Sequence, residues 1–141
     1  MIGILEKEAG EKLLFLNTCG ASLVLQITGS GYVFMPYWGG RIECTDIRYV
    51  IADITRGSYL ADANGQKDFK LEQMPQIYPS HGYSDLREPA FAFVYEDGSR
   101  ITDLRYQSHR IHRDKEKLPG LPSVRPADDS EVLEFVLYDD V

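Results

Sequence analysis

Two Asp-x-Arg pairs, Asp85/Arg87 and Asp103/Arg105, together with three histidines and scattered carboxylates, are the residues of this 141-residue chain whose types could do chemistry. Side chains two apart on a strand share a face, so each Asp-x-Arg pair can close a bidentate ion pair. Such a charge clamp orders a turn or a subunit contact, and this structural reading is favoured over a catalytic one for Asp85, Arg87, Asp103 and Arg105. His81, His109 and His112 raise the question of a metal. His109 and His112 would share one face of a helix, but their segment reads as strand, where residues three apart face opposite ways. No cysteine or third close ligand completes a zinc set, so no metal and no cofactor are expected. Paired acids can cleave glycosidic bonds, and Asp85 with Glu88 or Asp97 with Asp103 could be nominated. Spacing along the chain does not set a carboxyl separation across a sheet, so neither pair is promoted to a catalytic role.

Other chemistries lack their context. There is no Gly-x-Ser-x-Gly elbow, and no cysteine stands near a histidine in sequence. Gly29-Ser30-Gly31 does not lead into a helix, so these are turn residues and not a phosphate cradle. Tyr32, Phe34, Tyr37 and Trp38 could stack on a sugar ring, but alternate members of a strand must face the core. Trp38, beside Gly39-Gly40, is the one expected to reach solvent.

The elements that would carry these residues read as strands. Lys12–Asn17 is a short apolar run. In 21–28, Leu23, Leu25 and Ile27 alternate with Ser22, Val24 and Gln26, the period of a half-buried strand. Tyr32–Trp38 is aromatic and strand-like, and Pro36 within it implies an edge strand or a bulge. The first forty residues therefore predict a β-meander. Arg41-Ile42 and Tyr49–Ile51 could be short strands flanking a long excursion that runs to about Phe69. Ala90–Tyr95 alternates again, and Asp97-Gly98 is a hairpin signal between it and a strand starting at Arg100. Leu118–Pro122 reads as a stiff loop, and Glu131–Asp140 as a final strand with Leu133, Phe135 and Leu137 on one side. No segment keeps a helical period. The fold class is all-β, an antiparallel β-sandwich, in one domain over 1–141. Its last strand would leave an edge unpaired, which reads as a domain incomplete at the C-terminus.

Composition narrows the class. Apolar residues make up 43%, enough for a core, and the net charge of −7 argues against nucleic acid as a partner. No apolar run is long enough to span a membrane or to act as a leader, so a cytoplasmic location is expected. The two cysteines, Cys19 and Cys44, are expected to be free, buried thiols.

The ordered series Tyr78-Pro79, Gly82, Asp85, Arg87-Glu88-Pro89-Ala90, Gly98-Ser99, Thr102 to Tyr106, His109-Arg110-Ile111 and Leu118 to Pro122 resembles the N-terminal domain of family 36 α-galactosidases. Phe15-Leu16, Tyr37-Trp38-Gly39, Arg41-Ile42 and Phe69 to Glu72 extend the likeness over nearly the whole chain, loosely from Thr45 to Asp68. The resemblance implies part of a β-supersandwich that precedes a catalytic (β/α)₈ barrel. It implies an enzyme that removes terminal α-galactosyl units from melibiose- or raffinose-type oligosaccharides with retention, through two aspartates that belong to the barrel. This chain would then hold no catalytic residue and be inactive alone. It would serve the sandwich and the contacts of a homo-oligomer, a tetramer by resemblance. An N-terminal loop in tetrameric members reaches a neighbouring subunit's sugar site, which points to Asp53 and Arg56 as substrate-binding residues. The alternative is a free-standing galactoside-binding β-sandwich without catalysis.

Overall fold

A computed structural model describes residues 1–50, 71, 74–82, 87–113, 115–116, 119–122, 127 and 129–141. Among these, six strands form two antiparallel sheets: β1 (Ile2–Glu6), β2 (Lys12–Asn17), β3 (Ala21–Ile27) and β4 (Val33–Gly40) in that order, and a ribbon of β5 (Leu104–His112) with β6 (Val132–Asp139). The meander and the last strand stand where the alternation predicts them. β1 does not belong to that reading, although Ile2, Ile4 and Leu5 supply a strand's apolar content; it pairs with β2 from Ile2↔Leu16 to Glu6↔Lys12.

The meander is the middle layer, which is why its sequence is more apolar than one-sided burial requires. One face carries Leu14, Leu25, Ile27 and Val33 against Tyr106, Leu133, Phe135 and Leu137 of the ribbon. The other carries Leu13, Phe15 and Val24 beneath Ile47, then Phe34 with Tyr32 beneath Leu71 and Met74. The half-buried reading of 21–28 is thus corrected: Ser22, Val24 and Gln26 are as buried as Leu25 and Ile27. Segments after β4 supply the second cover, and nothing local in β3 announces them. Each fully buried side chain such as Leu13, Leu14 or Phe15 contributes roughly 1.5–3 kcal/mol.

Pro36 lies on the outer strand and also at a bulge. Between Val24↔Tyr37 and Gln26↔Phe34, one residue of β3 faces two of β4, so the missing N–H of Pro36 breaks no ladder bond. The outer edge of β4 is partly covered: Met35 N–H donates to the Pro75 carbonyl at 2.8 Å, and Phe34 bridges Gln76.

Three other expectations change. Of Tyr49–Ile51, Tyr49 and Val50 belong to a 3-10 turn, Arg48–Val50, and Ile51 lies outside the described residues; Arg41-Ile42 is irregular and not a strand. The Asp97-Gly98 turn forms, with Tyr95 N–H on the Ser99 carbonyl at 3.0 Å and Gly98 at φ +84°. No ladder follows it: 90–95 is not assigned as strand, β5 starts at Leu104, and its partner is β6. Cys19 and Cys44 are free but exposed, not buried, because one sits in the β2–β3 turn and the other on the segment leaving β4. No helix among the described residues is long and apolar enough to cross a membrane.

Candidate functional site

Asp103 and Arg105 meet as the Asp-x-Arg spacing predicts, but not oxygen for nitrogen. Arg105 Nε and Nη2 both donate to one carboxylate oxygen, Asp103 Oδ2, at 2.8 and 2.5 Å. The third donor, Nη1, reaches the Ser30 carbonyl in the β3–β4 turn at 2.6 Å. The guanidinium lies 4.0 Å from the centre of the Tyr32 ring, a cation–π contact. Gly31 belongs to the same knot: its carbonyl accepts the Tyr106 N–H at 2.7 Å, and its φ of +87° turns the chain there. On the other side the Asp103 N–H donates to Asp139 Oδ1 at 2.8 Å, and the Asp139 carboxylate also accepts the Tyr95 hydroxyl.

Both charges are almost wholly buried, at 4% and 2% side-chain exposure, so water contributes little to holding them. Burial pushes the Asp103 carboxyl up, and the adjacent guanidinium pulls against that rise. Tyr32 is pushed up to about 12, first by burial and then by the neighbouring negative charge of Asp103. A carboxylate committed to an arginine and shielded from solvent has no route to a sugar. It fastens the ribbon to the meander's turn. Spacing found the pair; Ser30 and Tyr32, more than seventy residues upstream, carry no signal that would have found them.

The other pair divides. Asp85 lies outside the described residues, and Arg87 donates to the Met74 and Leu71 carbonyls at 2.8 Å each, tying the second-face cover to the chain after it. Asp53 and Arg56 also lie outside the described residues. The chain that leads toward them is pinned: Arg48 Nη1 donates to Glu11 Oε2 at 2.7 Å and Nη2 to Asp46 Oδ2 at 2.9 Å, Lys7 lies 3.1 Å from Asp46, and Ile47 is in the core. The hydrogen bonds from Arg48 hold the Asp46 carboxyl well below the usual carboxylate range.

The histidines do not converge. His109 Nδ1 is 2.6 Å from the Tyr106 hydroxyl, whereas His112 Nε2 stands 3.6 Å from Glu134 Oε2, an oxygen that Arg110 Nη2 engages at 2.7 Å. Among the described residues no three His, Cys, Asp or Glu side chains are grouped as metal ligands would be. Of the aromatic run, Tyr32 and Phe34 are buried, and Trp38 is 77% exposed.

The family model described as the glycosyl hydrolase family 36 N-terminal domain matches residues 31–141. The chain belongs to that family. The α-galactosidase AgaA of Geobacillus stearothermophilus is 35% identical over 130 residues, which is 91% of this chain and 18% of AgaA. A crystal structure of an AgaA variant in complex with stachyose superposes with a TM-score of 0.76 at 37% identity, over 90% of this chain and 18% of that one. The galactosidase domain of AgaSK, the bifunctional α-galactosidase/sucrose kinase of Mediterraneibacter gnavus, gives a TM-score of 0.82 at 30% identity, over 98% of this chain and 19% of that domain. The chain thus spans about a fifth of the length of these relatives.

Proposed function

We propose that this chain is the non-catalytic N-terminal portion of a cytoplasmic α-galactosidase that hydrolyses terminal α-galactosyl units of melibiose- or raffinose-type oligosaccharides with retention. The observation that carries the reading is the family match over residues 31–141, joined by relatives crystallised with stachyose and with raffinose. The geometry supports the non-catalytic part. Asp103, one of the acids nominated from sequence, is buried on an arginine, and Asp97 caps its own turn by accepting the Ser99 N–H at 2.9 Å. In this reading the chain supports the sandwich and the contacts of a homo-oligomer, and Asp53 and Arg56 reach a neighbouring subunit's galactose through hydroxyl hydrogen bonds.

The purified chain is expected to release nothing from an aryl α-galactoside; turnover lost on Asp97→Asn or Asp103→Asn would sink the reading. Sequencing the gene past the codon for Val141 tests the same point, since a barrel-coding frame should follow.

The exposure of Trp38 beside the open Gly40 favours a second reading, a galactoside-binding β-sandwich with no enzyme attached. Titration calorimetry of the folded chain with melibiose or raffinose would show binding heat lost in Trp38→Ala if that reading holds, and no heat if the first does.

A further inference from the structure

We propose that residues 43–50 form an ion-latched strap, hinged at Ile42, that opens as one unit while both sheets stay closed. β4 ends its ladder at Ala21↔Gly40. Arg41 and Ile42 each keep one N–H on the meander, at the Gly20 carbonyl (3.2 Å) and at Ser22 Oγ (2.9 Å). Beyond them, among the described residues, no backbone group from Glu43 to Val50 bonds to either sheet. Two N–H groups there find partners inside the segment: Arg48 on Asp46 Oδ1 at 3.2 Å, and Val50 on the Ile47 carbonyl at 3.0 Å. A stretch joined to the body by side chains alone opens more readily than a laddered strand.

Those side chains form a seat and a latch. Ile47 is buried against Leu13, Phe15 and Val24, and Cys44 Sγ lies 3.7 Å from where a Gly3 Cβ would stand. Asp46 and Arg48 pair edge to edge, with Arg48 Nε on Oδ1 at 3.0 Å and Nη2 on Oδ2 at 2.9 Å. Lys7 and Glu11 face them from the base of the β1–β2 turn, which the Lys7 N–H closes on the Glu11 carbonyl at 2.9 Å. Each charge of the strap meets its opposite: Lys7 Nζ stands 3.1 Å from Asp46 Oδ2, and Arg48 Nη1 2.7 Å from Glu11 Oε2. Both halves of this ring of four charges are ordered before they meet, so closing it costs little further freedom.

Solvent sets how firmly the latch holds. Its four side chains are 28–38% exposed, so dissolved ions screen them. Asp103 and Arg105, at 2% and 4%, are out of reach of salt. One molecule thus carries two clasps of opposite character, a dry one between ribbon and meander and a wet one on the strap. Rising ionic strength lifts Ile47 off Leu13, Phe15 and Val24 without parting the sheets. The inference stands apart from the galactosidase reading, and its test uses no sugar.

Amide hydrogen exchange of the 141-residue chain, resolved by NMR, reads both clasps. Taking sodium chloride from about 0.1 M to about 1 M shortens the screening length from roughly 10 to 3 Å. Exchange at Arg48 and Val50 should quicken by about three- to tenfold, the range expected for two exposed ion pairs. The Ile42 amide at the hinge and the Tyr106 amide, bonded to the Gly31 carbonyl, should keep their rates. Glu11→Gln breaks one arm of the latch without touching the strap, and should show faster exchange at Val50 already at low salt, with less further response to added salt. Circular dichroism confirms that this variant is folded; were it not, the salt series on the parent chain decides alone. Three results overturn the proposal: strap amides indifferent to salt, a folded Glu11→Gln that exchanges like the parent, or Tyr106 and the β2 amides quickening in step with Val50.

Discussion

Removing either partner of the Asp103–Arg105 pair leaves a charge in a place that water barely reaches. Asp103→Ala is therefore expected to lower the unfolding free energy by about 3–5 kcal/mol in urea titration, and the double change Asp103→Leu with Arg105→Met by clearly less. Tyr32 supplies the pH dependence at the same knot. Its pKa rises from the ordinary tyrosine value of 10.0 in the unfolded chain to about 12 in the folded one, so the folded chain keeps a proton that the unfolded chain gives up. Stability from this group is complete below pH 10 and is lost as pH climbs through about 12. Alkaline unfolding followed by tyrosinate absorbance should lose that component in Tyr32→Phe. Sequence made the clamp legible because an i, i+2 spacing is a property of a strand wherever the strand lies. The Ser30 carbonyl and the Tyr32 ring were not legible, because only tertiary folding carries them to Arg105.

Legibility at the level of elements followed how far a local pattern decides a strand's surroundings. β2, β4 and β6 were readable from apolar runs, a proline and clean alternation. In β3 the alternation was right and its meaning was not, since both faces are covered and the second cover comes from Ile42, Ile47, Leu71 and Met74. β5 begins with Leu104, Arg105 and Tyr106 in regular alternation, but the ladder slips between Tyr106 and Ser108, so that period does not run on along the strand. The Asp97-Gly98 signal described a turn correctly and a hairpin wrongly, because turn chemistry is satisfied within four residues and ladder pairing is not. Glycine substitutions separate the two kinds of turn. Gly31→Ala puts a Cβ 3.4 Å from that of Arg105 at φ +87°, whereas Gly98 at φ +84° has open space around it. Both should be destabilising, Gly98→Ala by about 1 kcal/mol and Gly31→Ala by more, as judged by thermal melts.

For the molecule as a whole, an ordered series of short motifs identifies the family, and the family match over residues 31–141 bears that out. The same series does not reveal what its residues do. Thr102, Asp103 and Arg105 of that series are buried, and Gly98 turns the chain. Those four residues serve packing and the turn, whereas Tyr78, Glu88, Ala90 and Arg110 of the same series are exposed. Asp53 and Arg56, proposed to touch a sugar, stand in the loosest part of the likeness. Loops answer to ligands, whereas sheets answer to their own cores, so the part easiest to recognise is the part least able to report on substrate.

The bond from the Ile2 N–H to Glu131 Oε2, at 2.7 Å, and that from Arg105 to Ser30 span 129 and 75 residues of sequence. They impose an order in time. On a ribosome the four meander strands emerge early and can pair with their neighbours, yet among the described residues the face that holds Leu14 and Leu25 has only Ile77 and Tyr106 to close on until β6 has left the tunnel. Throughout that interval the nascent meander is an open apolar plate. Refolding of the 141-residue chain should accordingly resolve into local pairing followed by a slower closure, with the final step on a timescale of roughly milliseconds to seconds in stopped-flow fluorescence, as topologies built on distant pairings require.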